Sequence, residues 1–252
     1  MKGYIITLMK SKRSVEYADK SISTAKKYGV TNIEKFPATD RYNVWKRYCD
    51  EKLTIRDMTK IGMGYLSSEI ATFFSHYDLW TKCINQNEPI LILEHDAHFT
   101  SKTNINEYDG FDGDILNLGF PSWGSMDRKD KKIESEWNKK PSGILLREKC
   151  EGKHNQMKPW LDGFCHCDTS FLYGAQSYIV TPNGAKKLLN DVPNGILPAD
   201  IFIRQQIVDI YDLLPHPCRQ LSEVSYIQRN NSDETTNASN YAWDYLIQKN
   251  FI

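Results

Sequence analysis

Ile90-Leu91-Ile92-Leu93 is a run of four aliphatic residues that stops at Glu94-His95-Asp96-Ala97-His98. A short apolar run of this kind predicts a buried strand. Alternate side chains of a strand share a face, so Glu94, Asp96 and His98 are expected to point one way at its carboxyl end. In open α/β sheets ligands bind at that end. Carboxylates there suit a divalent cation, Mg²⁺ or Mn²⁺, of the kind that also binds substrate phosphates. The bland alternative is a solvated strand end with unconnected charges.

The rest of the chain supplies partners for such a strand. Tyr4 to Leu8 and Ile33 to Phe36 are strand-like, and between them Ser14 to Tyr28 is helical, ended by Gly29 in a C-terminal capping position. Residues 40 to 60 are polar and read as irregular. Leu66-Ser67-Ser68-Glu69 opens a helix, with Ser67 or Ser68 as N-cap and Glu69 in the first turn. Ile70, Phe73, Phe74, Tyr77 and Trp80 follow at helical spacing. Further strands are expected at Asp114 to Leu118 and Phe171 to Val180. Thr181 to Gly184 reads as a turn, with helices starting at Ala185 and over Ile201 to Tyr211. Alternating strands and helices argue for an α/β fold, a mostly parallel central sheet flanked by helices. The expected organisation is a single domain over 1–252, with a variable loop or insertion at about 121–168 and a terminal helix at Tyr241 to Ile252.

The 252 residues carry 32 basic and 32 acidic side chains, so no bulk charge draws the chain to nucleic acid or an anionic membrane. The insertion is the local exception: residues 127 to 140 hold six basic against four acidic residues, either a solvated loop or an acceptor-contacting lid. No stretch approaches the length of a transmembrane helix, and the first apolar run is too short for a signal peptide; a cytoplasmic protein is expected. Six scattered cysteines suit free thiols in a reducing compartment. Cys150, His154, Cys165, His166 and Cys167 are the one cluster that offers zinc ligands, at a spacing that matches no common finger.

Several separated segments resemble one family. The opening strand Ile5-Ile6-Thr7-Leu8 is followed by Lys10 and Arg13, with Thr7 where the family usually has Asn. Glu69-Ile70-Ala71-Thr72-Phe73-Phe74-Ser75-His76-Tyr77-Asp78-Leu79-Trp80 resembles Glu-Ile-Gly-Cys-x-x-Ser-His-x-x-x-Trp. Leu93-Glu94-His95-Asp96 resembles Leu-Glu-Asp-Asp, with His95 replacing the central acid. Gly174 to Leu189 resembles Gly-x-x-x-Tyr-x-(Ile/Val)-x-x-x-Gly-Ala-Lys-Lys-Leu-Leu. Pro198-Ala199-Asp200 follows, and Pro217 to Gln220 with Ser225 resembles the closing segment. Order and spacing over residues 3 to 227 resemble glycosyltransferase family 25, which contains lipooligosaccharide galactosyltransferases and the catalytic domains of collagen galactosyltransferases.

The resemblance implies a GT-A-like fold, a nucleotide-sugar donor (a UDP-sugar by default) and a divalent cation, Mn²⁺ or Mg²⁺. Asp96 and Glu94 would hold the cation, with His216 or His98 as weaker completing ligands. His216 reads equally as a surface histidine. Thr7, Leu8, Arg13, Glu94 and His95 would line the donor site, Arg13 near the diphosphate. The family inverts, and an inverting transfer needs a base beside the acceptor hydroxyl. Asp200 is the first candidate, against a simple helix-capping role. Glu69 and His76 carry over as catalytic candidates, His76 otherwise being a core histidine. The acceptor is expected to be a saccharide such as lipooligosaccharide. A hydroxymethylated base in phage DNA is the alternative, and an inactive sugar-binding relative, motivated by His95, is the third.

Overall fold

The computed structural model describes residues 1–40, 42–54, 67–120, 142–147, 171–172 and 175–220. The elements in chain order are β1 (Lys2–Thr7), α1 (Lys12–Lys27), β2 (Ile33–Pro37), α2 (Val44–Asp50), α3 (Ser67–Gln86), β3 (Ile90–Glu94), β4 (Ala97–Phe99), β5 (Ile115–Asn117), β6 (Gly143–Leu146), β7 (Ser177–Val180), α4 (Pro182–Asp191), α5 (Ala199–Phe202), β8 (Ile210–Leu214) and β9 (Cys218–Gln220). Seven strands form one sheet in the order β2-β1-β3-β7-β5-β8-β6, and β4 pairs with β9 apart from it. Strands β2, β1, β3, β5 and β8 run one way; β7 and the edge strand β6 run against them. The expected α/β architecture with a mostly parallel sheet is therefore present.

The strand order reverses at β1. The chain leaves β1 through α1 to β2 on one side, then returns through α3 to β3 on the other. Right-handed crossovers in opposite directions put their helices on opposite faces. Accordingly, Ala18 and Ala25 of α1 pack with Ile5, Leu91 and Leu93. Ile70, Phe73, Phe74 and Trp80 of α3 pack with Tyr4, Ile92 and Tyr178 on the other face. The aliphatic run 90–93 is buried on both faces for this reason.

Local chemistry sets the helix ends. Ser11 caps α1 by accepting from the Ser14 amide at 3.3 Å, and Gly29 at φ 97° lets the chain leave it. Thr181 caps α4, its Oγ1 accepting from the Gly184 amide at 3.1 Å, with Pro182 in the first turn. The expected turn at 181–184 is thus the start of the helix. Gly184 is required by packing: a Cβ there would lie 2.8 Å from the Asp114 carbonyl carbon.

Other expectations gave way to tertiary contacts. Residues 44–50, expected to be irregular, form α2, because Arg47 reaches Asp78 at 2.7 Å and Glu51 at 2.6 Å while lying 4.4 Å from the Phe74 ring centroid. Ser67 opens α3 within the helix, and its hydroxyl accepts the Trp45 indole N–H at 2.8 Å. The helix expected over 201–211 ends at Phe202, because Ile210 to Asp212 pair with β5. Of the described residues in the strand expected over 171–180, those at 177–180 form it. Inside the expected insertion, Gly143–Leu146 adds the outermost strand. Residues 127–140, the Cys150–Cys167 cluster and the tail from 241 lie outside the described residues.

The edge strand is anchored by a buried ion pair. Arg147 donates to Asp212 through Nε at 2.5 Å and Nη2 at 2.7 Å, and to the Phe171 carbonyl at 2.8 Å. Asn117 adds a bond to Asp212 at 2.8 Å. Burial alone would push the Asp212 carboxyl up, but Arg147, with bonds from His216 and Asn117, holds it well below the usual carboxylate range.

Two stability experiments follow from this packing. Gly184→Ala must displace the Asp114 main chain and is expected to cost about 1–3 kcal/mol, read from the urea midpoint. Asp212 is depressed in the folded state, so its contribution is full above the unfolded value of 3.8 and fades as pH falls below it. Asp212→Asn, which leaves Arg147 buried without its anion, is expected to lose about 3–5 kcal/mol at pH 7. Denaturation at pH 7 and pH 3 should show that gap narrowing in acid.

Candidate functional site

The crevice outside the carboxyl ends of β1 and β3 is the sheet's topological switch point, where the flanking helices diverge to opposite faces. Four of the sequence-derived candidates, Thr7, Leu8, Glu94 and His95, lie there because they end or follow these two strands.

Glu94 turns toward α3. Its Oε1 lies 3.4 Å from His76 Nε2, and the other ring nitrogen of His76 is 2.8 Å from the Tyr178 hydroxyl. The Trp80 indole N–H donates to that hydroxyl at 2.9 Å. His76, Tyr178 and Trp80 are each fully buried. Burial pushes the Glu94 carboxyl up to about 8; the charges of Asp96 and Asp200 add to this, and His95 opposes it. Burial likewise lowers His76 to about 4 against the opposing charge of Asp200. Asp200 thus acts through its charge on both Glu94 and His76. Its place is set by Phe202 of the same short helix, whose ring stacks on Trp80 at 5.7 Å and meets Phe73 edge-on at 5.0 Å.

The α1 side has a different character. His95 lies 6.1 Å from the Tyr17 ring. Arg13 stacks on Tyr17 at 5.2 Å and donates to its hydroxyl at 3.1 Å, and Lys20 lies 5.3 Å from the same ring. Thr7 is fully buried, its hydroxyl returned to the Ile5 carbonyl at 2.9 Å. The Leu8 amide donates to Ser14 Oγ at 3.0 Å. The side chain of Thr7 and the amide of Leu8 thus shape the turn into α1.

Asp96 lies in the turn after β3. One oxygen accepts from Gln220 at 2.9 Å; the other, Oδ1, is buried and has no partner among the described residues. An orphaned carboxylate oxygen with a second carboxylate acting on it has the chemistry of a hard divalent-cation ligand, and Asp96 and Glu94 are the residues that could hold one. Among the described residues no group of three or more His, Cys, Asp or Glu side chains gathers as a complete coordination set. The expected single face for Glu94, Asp96 and His98 does not form, because the strand stops at Glu94 and the chain turns before β4. His98 instead comes under the charge of Lys27 in the last turn of α1. His216, expected either as a ligand or on the surface, is 8% exposed and lies 3.3 Å from Asp212 in the ion-pair network.

Glu69 lies half-buried on α3, seven residues before His76 and so on the same stripe. Ser75 accepts the Thr39 amide at 2.9 Å and fixes the loop after β2. The segment Ser75-His76-x-Asp78-x-Trp80 thus places the loop, Glu94, Arg47 and Tyr178 in turn. Tyr178 enters the sequence reading only as the motif Tyr of the Gly174–Leu189 segment, with no site role, and Tyr17 not at all. Arg13 and Tyr17 are four apart in α1, a spacing that signals their contact.

The sequence matches the family described as glycosyltransferase family 25 (LPS biosynthesis protein) over residues 1–203. The chain belongs to glycosyltransferase family 25. A "Glycosyltransferase 25 family member" of Anopheles gambiae is 26% identical over 185 residues, 68% of this chain. The aligned region spans 26% of that relative's length. Among solved structures, the galactosyltransferase LgtC in complex with donor and acceptor sugar analogues aligns with 97% of this chain and 96% of its own, at 6% identity and a TM-score of 0.41. The family 25 segments quoted above meet physically here. The helix segment brings His76 and Trp80, the Gly174–Leu189 segment brings Tyr178, and the strand-end segment brings Glu94, joined by hydrogen bonds. Among the described residues no helix is long and apolar enough to cross a membrane.

Proposed function

We propose that the chain transfers a sugar from a nucleotide-sugar donor, a UDP-sugar by default, to a saccharide hydroxyl in the crevice between β1 and β3. The observation that carries this reading is the buried Oδ1 of Asp96, without a partner among the described residues, whose carboxylate also acts on Glu94. Like charges acting on a buried carboxyl are costly without a cation to neutralise them. Asp96 and Glu94 would hold Mn²⁺ or Mg²⁺. Such a cation supplies Lewis-acid stabilisation of the diphosphate that departs.

The chain's own groups divide the remaining work. The amino end of α1 follows β1 directly, carries no acidic residue in its first turn, and presents the positive end of its dipole with Arg13 beside it. Arg13 is assigned to the donor diphosphate. Asp200 is assigned as the base that takes the acceptor proton in an inverting transfer. It sits in the first turn of α5 with its placement fixed by Phe202. Because His95 lies beside Tyr17, its exchange for an acid leaves the Glu94–Asp96 pair in place, which favours an active enzyme over an inactive sugar-binding relative. The GT-A-like reading agrees with a donor crevice at the switch point of a mostly parallel sheet.

The test is a nucleotide-sugar panel, with Mn²⁺ or with chelator, read by thermal shift and donor hydrolysis. One donor is expected to stabilise the protein only with metal, and Asp96→Asn should abolish that shift. Asp200→Asn should keep the shift while lowering turnover by at least about 100-fold, the range of a lost general base. Full activity of Asp96→Asn in chelator would refute the cation assignment.

A further inference from the structure

We propose that Trp80 and Tyr178 are positioning residues: they hold His76 with its proton on Nε2, so that its N–H is donated to Glu94 and the carboxylate is kept as an acceptor facing the crevice. The proposal rests on the donor-site reading of Glu94 above.

The argument is one of hydrogen-bond direction. An indole nitrogen only donates, so Trp80 gives its N–H to the Tyr178 oxygen at 2.9 Å. Tyr178 is fully buried, and among the described residues its hydroxyl has two hydrogen-bonding neighbours, the Trp80 indole and His76 Nδ1 at 2.8 Å. A buried hydroxyl proton left without an acceptor is costly. Trp80 offers no lone pair, so the Tyr178 proton goes to His76 Nδ1, which must then be the unprotonated nitrogen. The neutral ring carries its remaining proton on Nε2, which faces Glu94 Oε1 at 3.4 Å. The opposite tautomer would strand the Tyr178 proton and, once Glu94 is ionised, turn an imidazole lone pair toward its carboxylate oxygen.

The scaffold makes this arrangement rigid. Trp80 and His76 lie four apart on α3 and share a face. Tyr178 stands on β7, whose register against β3 is fixed by the pairs Ile92–Tyr178 and Leu93–Ser177. The Glu94 amide continues that ladder by donating to the Gln176 carbonyl at 2.8 Å. Rings of His76 and Tyr178 stack 5.8 Å apart at 15°. Two sequence segments about 100 residues apart are thereby joined to one carboxylate.

The test reads the tautomer directly. Full-length ¹⁵N-labelled protein at pH 7 gives long-range ¹H–¹⁵N correlations for each histidine ring, and His76→Gln identifies the His76 pattern by its loss. The expected pattern has a hydrogen-bonded, unprotonated Nδ1 and a protonated Nε2. In Tyr178→Phe the Nδ1 signal should move to the position of an unbonded imine nitrogen, with the remaining spectrum folded. A protonated Nδ1 in the wild type, or an unchanged pattern in Tyr178→Phe, would overturn the proposal. The functional arm is titration with Mn²⁺ alone. Tyr178→Phe should weaken Kd by about 10-fold or more, the range found for groups that orient metal ligands, and His76→Ala likewise. His76→Gln, which keeps an N–H donor, should recover most of it. An unchanged Kd in Tyr178→Phe would refute the positioning role. A wild type that binds no Mn²⁺ would instead overturn the cation reading of the site, and the tautomer pattern alone would then decide the relay.

Discussion

A carboxylate at the end of a strand buried on both faces is costly to keep charged, and Glu94 is in that position. Much of the crevice answers this cost. His76 supplies a donor from α3, and Tyr178 and Trp80 supply the bonds that keep that donor in place. Asp96 and Asp200 work in the opposite sense, adding negative charge where burial already opposes it. Like charge added to a buried carboxyl destabilises the fold on its own, which is the cost that the proposed cation and diphosphate would offset. Stability given up at a strand end is a usual signature of a binding site.

The helices serve the same end from both faces. Helix α3 carries Ser75, His76, Asp78 and Trp80, each committed to a different neighbour: the loop after β2, Glu94, Arg47 and Tyr178. Helix α1 presents its amino end with Arg13 and Tyr17 on the other side of the crevice. A reversal of strand order at β1 separates the two helices and opens the space between them.

Periodicity made the elements near the site legible. The aliphatic run 90–93, the capped helix before Gly29 and the aromatic spacing of α3 depend on local patterns, and the structure keeps them. Elements decided by distant partners were not legible. Helix α2 exists through Arg47 reaching across to Asp78, and β8 is a strand because β5 lies beside it. Within the candidate site, Glu94 and His76 could be picked out by type and resemblance. The bonds that orient His76 toward Glu94 could not, because they come from Tyr178, a motif residue remote in sequence with no charge to mark its role. His98 misled for a related reason: strand alternation was carried through His95-Asp96, where the chain turns.

The most direct measurement is the anomalous diffraction of crystals soaked in Mn²⁺ and UDP. The account predicts a manganese peak against Asp96 and Glu94, with the diphosphate lying toward the amino end of α1 and Arg13. Manganese and nucleotide bound elsewhere in crystals whose crevice is open to solvent would contradict it.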